Sequence, residues 1–383
     1  MESAFSAHAG RKRAHLIFAD RCAHVVNALG GAVWLALGLL LCSCSSAPPM
    51  RVESLPAPET GLPLEYAIVC IIHGDGSYGF HDSEGREYKA DEQALAGAQQ
   101  VAERNSQAEV FIFHEKHRRH TLLFFPRSDG EFYYYRNGRL IAQESYWRDH
   151  GLSRFDPVVD RFNRFHVTGS PRQLRLFLYF GHEIPEMGGK GYDASYRNWT
   201  FTIHDLADGL GRITRDSTRF DLVALSSCFG GTPHTISALT PQARYIIASP
   251  GNLHLSYLDL QPFEALDVGL RAGDVSAFAT ECARRSFARL TEDLQTEITV
   301  AVYDVDRVQG FVASVDSAYD CALSVLQGKA PTGLAHCDCA DDSAYVRPAM
   351  SEGVEVFYRP ARFGRSAGKL NHSGWECLQL LKQ

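Results

Sequence analysis

Two apolar runs in this chain end on side chains that can move a proton or attack a carbonyl. LRLFLYFGH, residues 174–182, ends at His182, and FDLVALSSC, residues 220–228, ends at Cys228. A thiol becomes a strong nucleophile as its thiolate. A neighbouring imidazole can take the thiol proton and later return it to a leaving amine. The oxyanion that develops on the attacked carbonyl needs backbone N–H donors, which the loops at Glu183 and Cys228 can offer. Gly230-Gly231 lets the chain turn close behind the cysteine. The pattern alone admits two readings: a Cys–His pair, or a buried structural thiol at Cys228 with an unrelated loop histidine at His182.

Other candidates compete for the same rim. His73-Gly74-Asp75-Gly76 also follows an apolar run, which makes His73 a rival partner for Cys228. Its glycines lack the Lys and following Ser/Thr of a phosphate loop. Ser226-Ser227 has no G-x-S-x-G context, which argues against a serine hydrolase. His234 can approach Cys228 or serve at a surface helix end. The aromatic run Phe132–Tyr135 reads as hairpin packing.

The elements that must position these groups follow from apolar patterning. Tyr66–Ile72 is a continuous apolar run, and Val110–Phe113, Leu174–Phe180, Phe220–Ser226, Tyr245–Ala248 and Thr299–Tyr303 read as further core strands. Helical spacing covers Asp91–Glu103, Ile203–Leu210, His234–Leu239 and Val308–Leu326, and two helices are expected in Pro262–Leu294. Thr121–Phe125 and Glu131–Tyr135 predict hairpin strands around Ser128-Asp129-Gly130, with another tight turn at Asn137-Gly138. Alternating buried strands and helices predict an α/β fold with a mostly parallel sheet. Such sheets carry functional loops at the carboxyl ends of their strands, so neighbouring strands would bring His182 and Cys228 to one rim. The last forty residues, including the alternating Gly353–Pro360, predict an extended segment packed on the main domain.

Composition narrows the function classes. The chain has 383 residues, 45% hydrophobic and 22% charged, with formal net charge −7, so no overall basic field points to nucleic acid. The cluster His114–His120 reads as a solvated strand connection. Arg11-Lys12-Arg13, the apolar run from about Val25 to Leu41, and CSCSSAPP resemble a bacterial lipoprotein signal with Cys44 as the lipidated residue. The run also approaches the length of a membrane anchor. Beyond Cys44 lie Cys70, Cys228, Cys282, Cys321, Cys337, Cys339 and Cys377, an odd number that leaves at least one thiol free. Cys337-Asp338-Cys339 with Cys377 suggests a stapled tail in an oxidising compartment. No pair of CxxC motifs supports a zinc site.

The segment FDLVALSSCFGGTPHTISALTPQARYIIASPGNLHLSYLDLQPF resembles the block around the catalytic cysteine of clostripain-like cysteine peptidases. VAVYDVDRVQGFVASVDSAY, residues 300–319, resembles that family's later strand–helix segment. The resemblance implies a caspase-like three-layer α/β fold over about Tyr66–Leu326, with Cys228 as nucleophile. It places the catalytic histidine at the end of the preceding core strand, which is His182. The 46-residue gap from His182 to Cys228 is near the caspase spacing of roughly 50.

This chain departs from the family at two positions. Glu183 stands where the family has glycine after its histidine. Ser226 stands where the family's preference for basic residues rests on an acidic side chain, so that preference is not carried over. Asp193 or Asp205 can line the pocket instead, and Asp205 equally suits a helix cap. The resemblance leaves calcium possible, with Asp75, Asp193 and Asp259 as candidate ligands; no other cofactor is expected. The expected organisation is a signal peptide at 1–43, a linker at 44–64, a peptidase domain at 65–330 and a cysteine-containing extension at 331–383. The expected protein is a cysteine endopeptidase of the bacterial cell envelope, acting on peptides or proteins and held to the membrane through its N-terminus. The competing expectation is a catalytically silent binding protein on the same fold.

Overall fold

The computed structural model describes residues 63–74, 79–81, 87–118, 120–121, 125–149, 153–167, 173–186, 188–189, 192–215, 218–253, 257–268, 270, 274–325, 336–342 and 350–378. The expected signal segment, Cys44 and Asp75 lie outside these residues.

Strands buried on both faces lose the in–out alternation of a half-exposed sheet and become continuous apolar runs. β1 (Tyr66–His73) and β2 (Ala108–Glu115) are of this kind, with every residue buried. β5 (Leu174–Phe180), β6 (Phe220–Ser226) and β7 (Ala243–Ala248) complete a parallel block in the order β7-β6-β5-β1-β2. Antiparallel strands extend it on both sides. β3 (Gly130–Arg136) pairs with β2 and with β4 (Arg139–Tyr146), and β8 (Ile298–Asp304) pairs with β7. The β3–β4 turn is the expected Asn137-Gly138, both at positive φ (50° and 76°), as a tight hairpin requires. β4 itself, more exposed than its neighbours, carries no strong apolar run in the sequence.

Helices cover both faces. α1 (Ala90–Arg104) buries Ala90, Ala94, Ala98, Val101 and Ala102, a stripe of small residues that packs close to the sheet. α5 (Val275–Asp293) and the 3-10 segment Gln261–Val268 share that face. These are the two helical segments expected in 262–294, the first of them 3-10 rather than α. The opposite face is covered by α2 (Asp156–Phe165), α3 (Ile203–Thr214), α4 (Pro233–Leu239) and α6 (Val305–Val325). The result is the predicted helix–sheet–helix layering. Among the described residues no helix is long and apolar enough to cross a membrane.

The tail does more than pack on the outside. β10 (Val354–Arg359) adds to the main sheet beside β8, giving nine strands. A small ribbon, β9 (His336–Asp338) with β11 (Glu376–Leu378), is closed by a Cys339–Cys377 disulfide. The fully buried Trp375 packs on Tyr303 and Phe311 and donates through its indole N–H to Met350 O at 2.8 Å. A boundary at 330 therefore separates an edge strand from the sheet it completes.

Candidate active site

Strand register sets the site. Ser226 at the end of β6 lies opposite Phe180 at the end of β5 in parallel pairing, and Gly181 N donates to Ser226 O at 3.2 Å. Cys228 and His182 each stand two residues beyond that matched pair, at the carboxyl ends of adjacent strands. The structure thus brings the two sequence-predicted residues to one rim, and both are half-buried.

The chain turns sharply behind the cysteine. Phe229 adopts the left-handed conformation, with φ of 47°, which disfavours a side chain other than glycine. Its N–H donates to Gly251 O at 3.1 Å, and Gly231 N donates to Ser249 O at 3.0 Å, so the turn is tied to the loop after β7. A Cβ on Gly231 would run into the Tyr303 hydroxyl and the backbone of Pro250, which is why glycine is needed there. The Phe229 ring stacks on His336 of the tail at a centroid distance of 4.8 Å.

The single thiol proton of Cys228 has two acceptors in reach, Leu253 O at 2.8 Å and Asn252 Oδ1 at 3.1 Å. Burial pushes its pKa up, and the nearby Glu183 charge pushes it further. Burial also raises the Glu183 carboxyl. The Cys228 shift favours the neutral form, so the resting site holds a thiol rather than a preformed thiolate.

The remaining predicted residues have structural occupations. Ser226 is fully buried, and its Oγ accepts from Leu258 N at 3.2 Å, while Tyr257 OH donates to Leu225 O at 2.6 Å. The position where the family has an acidic side chain here fastens the 257–258 segment under the strand end. Asp205 caps α3: its carboxylate accepts from Thr202 N at 2.7 Å, the reciprocal half of a capping box. Asp259 pairs with Arg285 at 3.4 Å.

Asp193 lies deep in a charged nest. His73 donates from Nε2 to its Oδ2 at 2.9 Å, and Arg148 also pairs with it. Arg154 bridges to Glu115 at 2.5 Å, and Arg148 reaches Glu115 at 3.4 Å. Burial alone would raise both carboxyls. The His73 bond and the guanidinium charges overcome it, holding Asp193 well below its usual range and Glu115 down to about 2. Burial, helped by the two arginine charges, outweighs the Asp193 hydrogen bond and the Glu115 charge and lowers His73, which favours its neutral form. Two carboxylates and two guanidiniums then balance, which is how such a cluster tolerates burial.

His73 stacks on Tyr192 at 4.8 Å, and its ring stands edge-on to His182 at 6.4 Å. It is fully buried with Nε2 committed to Asp193, so it stands behind His182 as a support. Tyr179 OH donates to His182 O at 3.2 Å and contacts the Tyr192 hydroxyl, linking the histidine loop to the nest. Sequence reading missed this assembly because its members are scattered. His114 and Glu115, read there as part of a solvated connection, end a buried strand.

No protein-family model matches the sequence, and no curated protein matches it. The structure is similar to that of an inactive zymogen C11 protease from Parabacteroides distasonis, with a TM-score of 0.55 and 15% identity over 83% of this chain and 92% of that one. A secreted C11 cysteine protease from Bacteroides thetaiotaomicron, solved with an irreversible peptide inhibitor, gives a TM-score of 0.45 and 13% identity over 69% of this chain and 70% of that one. At these identities the likeness is one of architecture: the chain has the caspase-like α/β fold of the C11, or clostripain-like, cysteine proteases.

Proposed function

We propose that this chain is a cysteine endopeptidase with Cys228 as nucleophile and His182 as proton carrier. The observation that supports it most is the matched register of β5 and β6, which ends two neighbouring strands the same distance short of the imidazole and the thiol. His182 takes the thiol proton as sulfur attacks the peptide carbonyl carbon. The tetrahedral oxyanion is held by backbone N–H groups of Glu183 and Cys228. His182 then protonates the departing amine, leaving a thioester, and water activated by the same imidazole releases the acid and restores the thiol. Export, lipid attachment at Cys44 and a place in the cell envelope belong to the same proposal, which includes no cofactor and leaves calcium as a condition to vary in the test. Asp193 is an unsuitable calcium ligand because its charge is already matched by Arg148 and Arg154.

One observation favours a second reading. The Glu183 carboxyl beside Cys228 works against thiolate formation, as suits a silent binding protein on this fold. A peptide library incubated with residues 45–383, with and without calcium, separates the readings by mass spectrometry. Cleavage that disappears in both Cys228→Ala and His182→Ala establishes the peptidase. Cleavage that persists in either variant overturns the dyad. No cleavage in any condition, together with alkylation of Cys228 no faster than in the denatured chain, establishes the silent fold.

A further inference from the structure

The tail ribbon carries one cysteine more than its disulfide uses. Cys339 is bonded to Cys377, while Cys337, half-buried on β9, keeps a free thiol. Strand register decides how that thiol stands to the bond. Cys337 lies directly opposite Cys377 in the antiparallel pairing of β9 with β11, between the pairs His336–Leu378 and Asp338–Glu376. Directly opposed residues of such a ribbon are about 4.5–5.5 Å apart at Cα, with side chains on the same face. A disulfide spans about 4.4–6.8 Å at Cα, and the bond from Cys339 spans 5.0 Å. Cys377 thus has two cysteines within bonding reach. The fully buried free thiols are placed differently: Cys70 and Cys282 belong to the core on the other face of the sheet from Cys339 and Cys377.

We propose that Cys337 is the internal nucleophile of an exchangeable staple, in which Cys377 bonds in turn to Cys339 and to Cys337. The Cys337 thiolate attacks Sγ of Cys377. The 337–377 bond forms as the 339–377 bond breaks, and Cys339 leaves as a thiolate that takes up the proton Cys337 gave away. One disulfide is present before and after, so no oxidant or reductant is consumed. The two closed loops differ by only two residues, so chain entropy favours neither isomer. Charge sets the pace. Burial first, then the carboxylates of Asp342, Glu376, Asp341 and Asp338, push the Cys337 thiol up to about 11. Two cations face the same acids: Lys369 pairs with Asp338 at 2.7 Å and Asp341 at 2.9 Å, and His372 stands 3.5 Å from Glu376. Little thiolate exists at neutral pH, so exchange is slow there and quickens about tenfold per pH unit in mild alkali. The exchange takes place inside the brace of the rim. His336, beside Cys337, stacks on Phe229, and Glu376, beside Cys377, donates its N–H to Gly231 O. A bond to Cys339 pins the 3-10 turn Cys339–Asp341, whereas a bond to Cys337 pins the strand next to His336 and releases that turn. This inference stands independently of the peptidase reading.

The test follows the free thiol in the full chain, with no thiol or oxidant added. Samples held at pH 7.5 or 8.5 are quenched in acid, denatured, alkylated with N-ethylmaleimide and digested. Fragment-ion sequencing then places the label on Cys337 or Cys339. At pH 8.5 the label on Cys339 rises over minutes to hours to at least about 5%. At pH 7.5 it rises about tenfold more slowly. Diluting the protein tenfold leaves the rate unchanged, because the attack is internal. Cys339→Ser gives a second measurement: its Cys337 and Cys377 are bonded to each other, and it melts about 5 °C or more above the Cys337→Ser/Cys339→Ser variant. Label on Cys339 below about 1% after about a day at pH 8.5 overturns the proposal. A rate proportional to protein concentration overturns it too, as does a Cys339→Ser chain in which Cys337 and Cys377 are both alkylated.

Discussion

Glu183→Gln isolates the one charge that the rim places against its own nucleophile. Two causes raise the Cys228 thiol, burial first and the Glu183 carboxylate second. Glutamine removes the second cause and keeps the first, together with the backbone N–H at that position. A single carboxylate charge beside a half-buried thiol changes the thiolate population at fixed pH by about 3–10-fold. The less basic thiolate is a weaker nucleophile, with a Brønsted slope of about 0.4–0.5, so a tenfold gain in thiolate becomes about 3–4-fold in rate. The assay is iodoacetamide labelling from pH 6 to 10, read at the Cys228 peptide by mass spectrometry so that Cys337 does not contribute. The variant should label about 2–4-fold faster at pH 7, with its rising limb displaced to lower pH and the advantage lost once both thiols are ionised. Superimposable limbs, or a slower variant at neutral pH, would refute the claim that Glu183 holds the thiol protonated.

Further expectations concern the supports of the site. Arg154→Ala leaves the buried Glu115 and Asp193 short of a counter-charge and should cost about 3–5 kcal/mol in urea unfolding. The parent should lose stability in acid. Glu115 is depressed from its usual 4.5 to about 2, so its contribution is complete above about 4.5 and fades as pH falls towards 2; circular dichroism against pH reads the window, and a flat stability from pH 5 to 2 would oppose it. Cys377→Ser opens a link of sequence separation 38 and should cost about 3–4 kcal/mol by thermal or urea unfolding. Phe229→Gly and Phe229→Ala both lose the stack on His336, but only glycine relieves the left-handed backbone, so the Gly variant should be more stable by about 1 kcal/mol.

What was legible in the sequence was what a continuous stretch can encode. The buried strands announce themselves as apolar runs, and the register of two such runs carries His182 and Cys228 to the same edge without side-chain information. The left-handed Phe229 has no composition cue, because phenylalanine is not a turn residue. The role of Ser226 was hidden for a different reason: its hydrogen bond goes to Leu258, thirty-two residues away. The charged nest joins side chains from β1, β2, the segment after β4 and the loop after β5, and no local pattern records that they meet. The tail strand was visible as an alternating segment; its place at the sheet edge depends on β8, which lies more than fifty residues earlier.

The tail ribbon sets a timetable for the site. Glu376 N donates to Gly231 O at 3.3 Å, and the Tyr303 hydroxyl reaches Gly374 O at 2.5 Å, so the turn behind the cysteine is buttressed by residues made some 140 positions after it. During synthesis, the sheet from β1 to β7 can assemble while that buttress is still missing. The strained turn is completed only when the tail arrives and Cys339 finds Cys377. Completion of the rim is thus linked to synthesis of the whole domain, and a chain halted before the tail would carry Cys228 on a turn without its support.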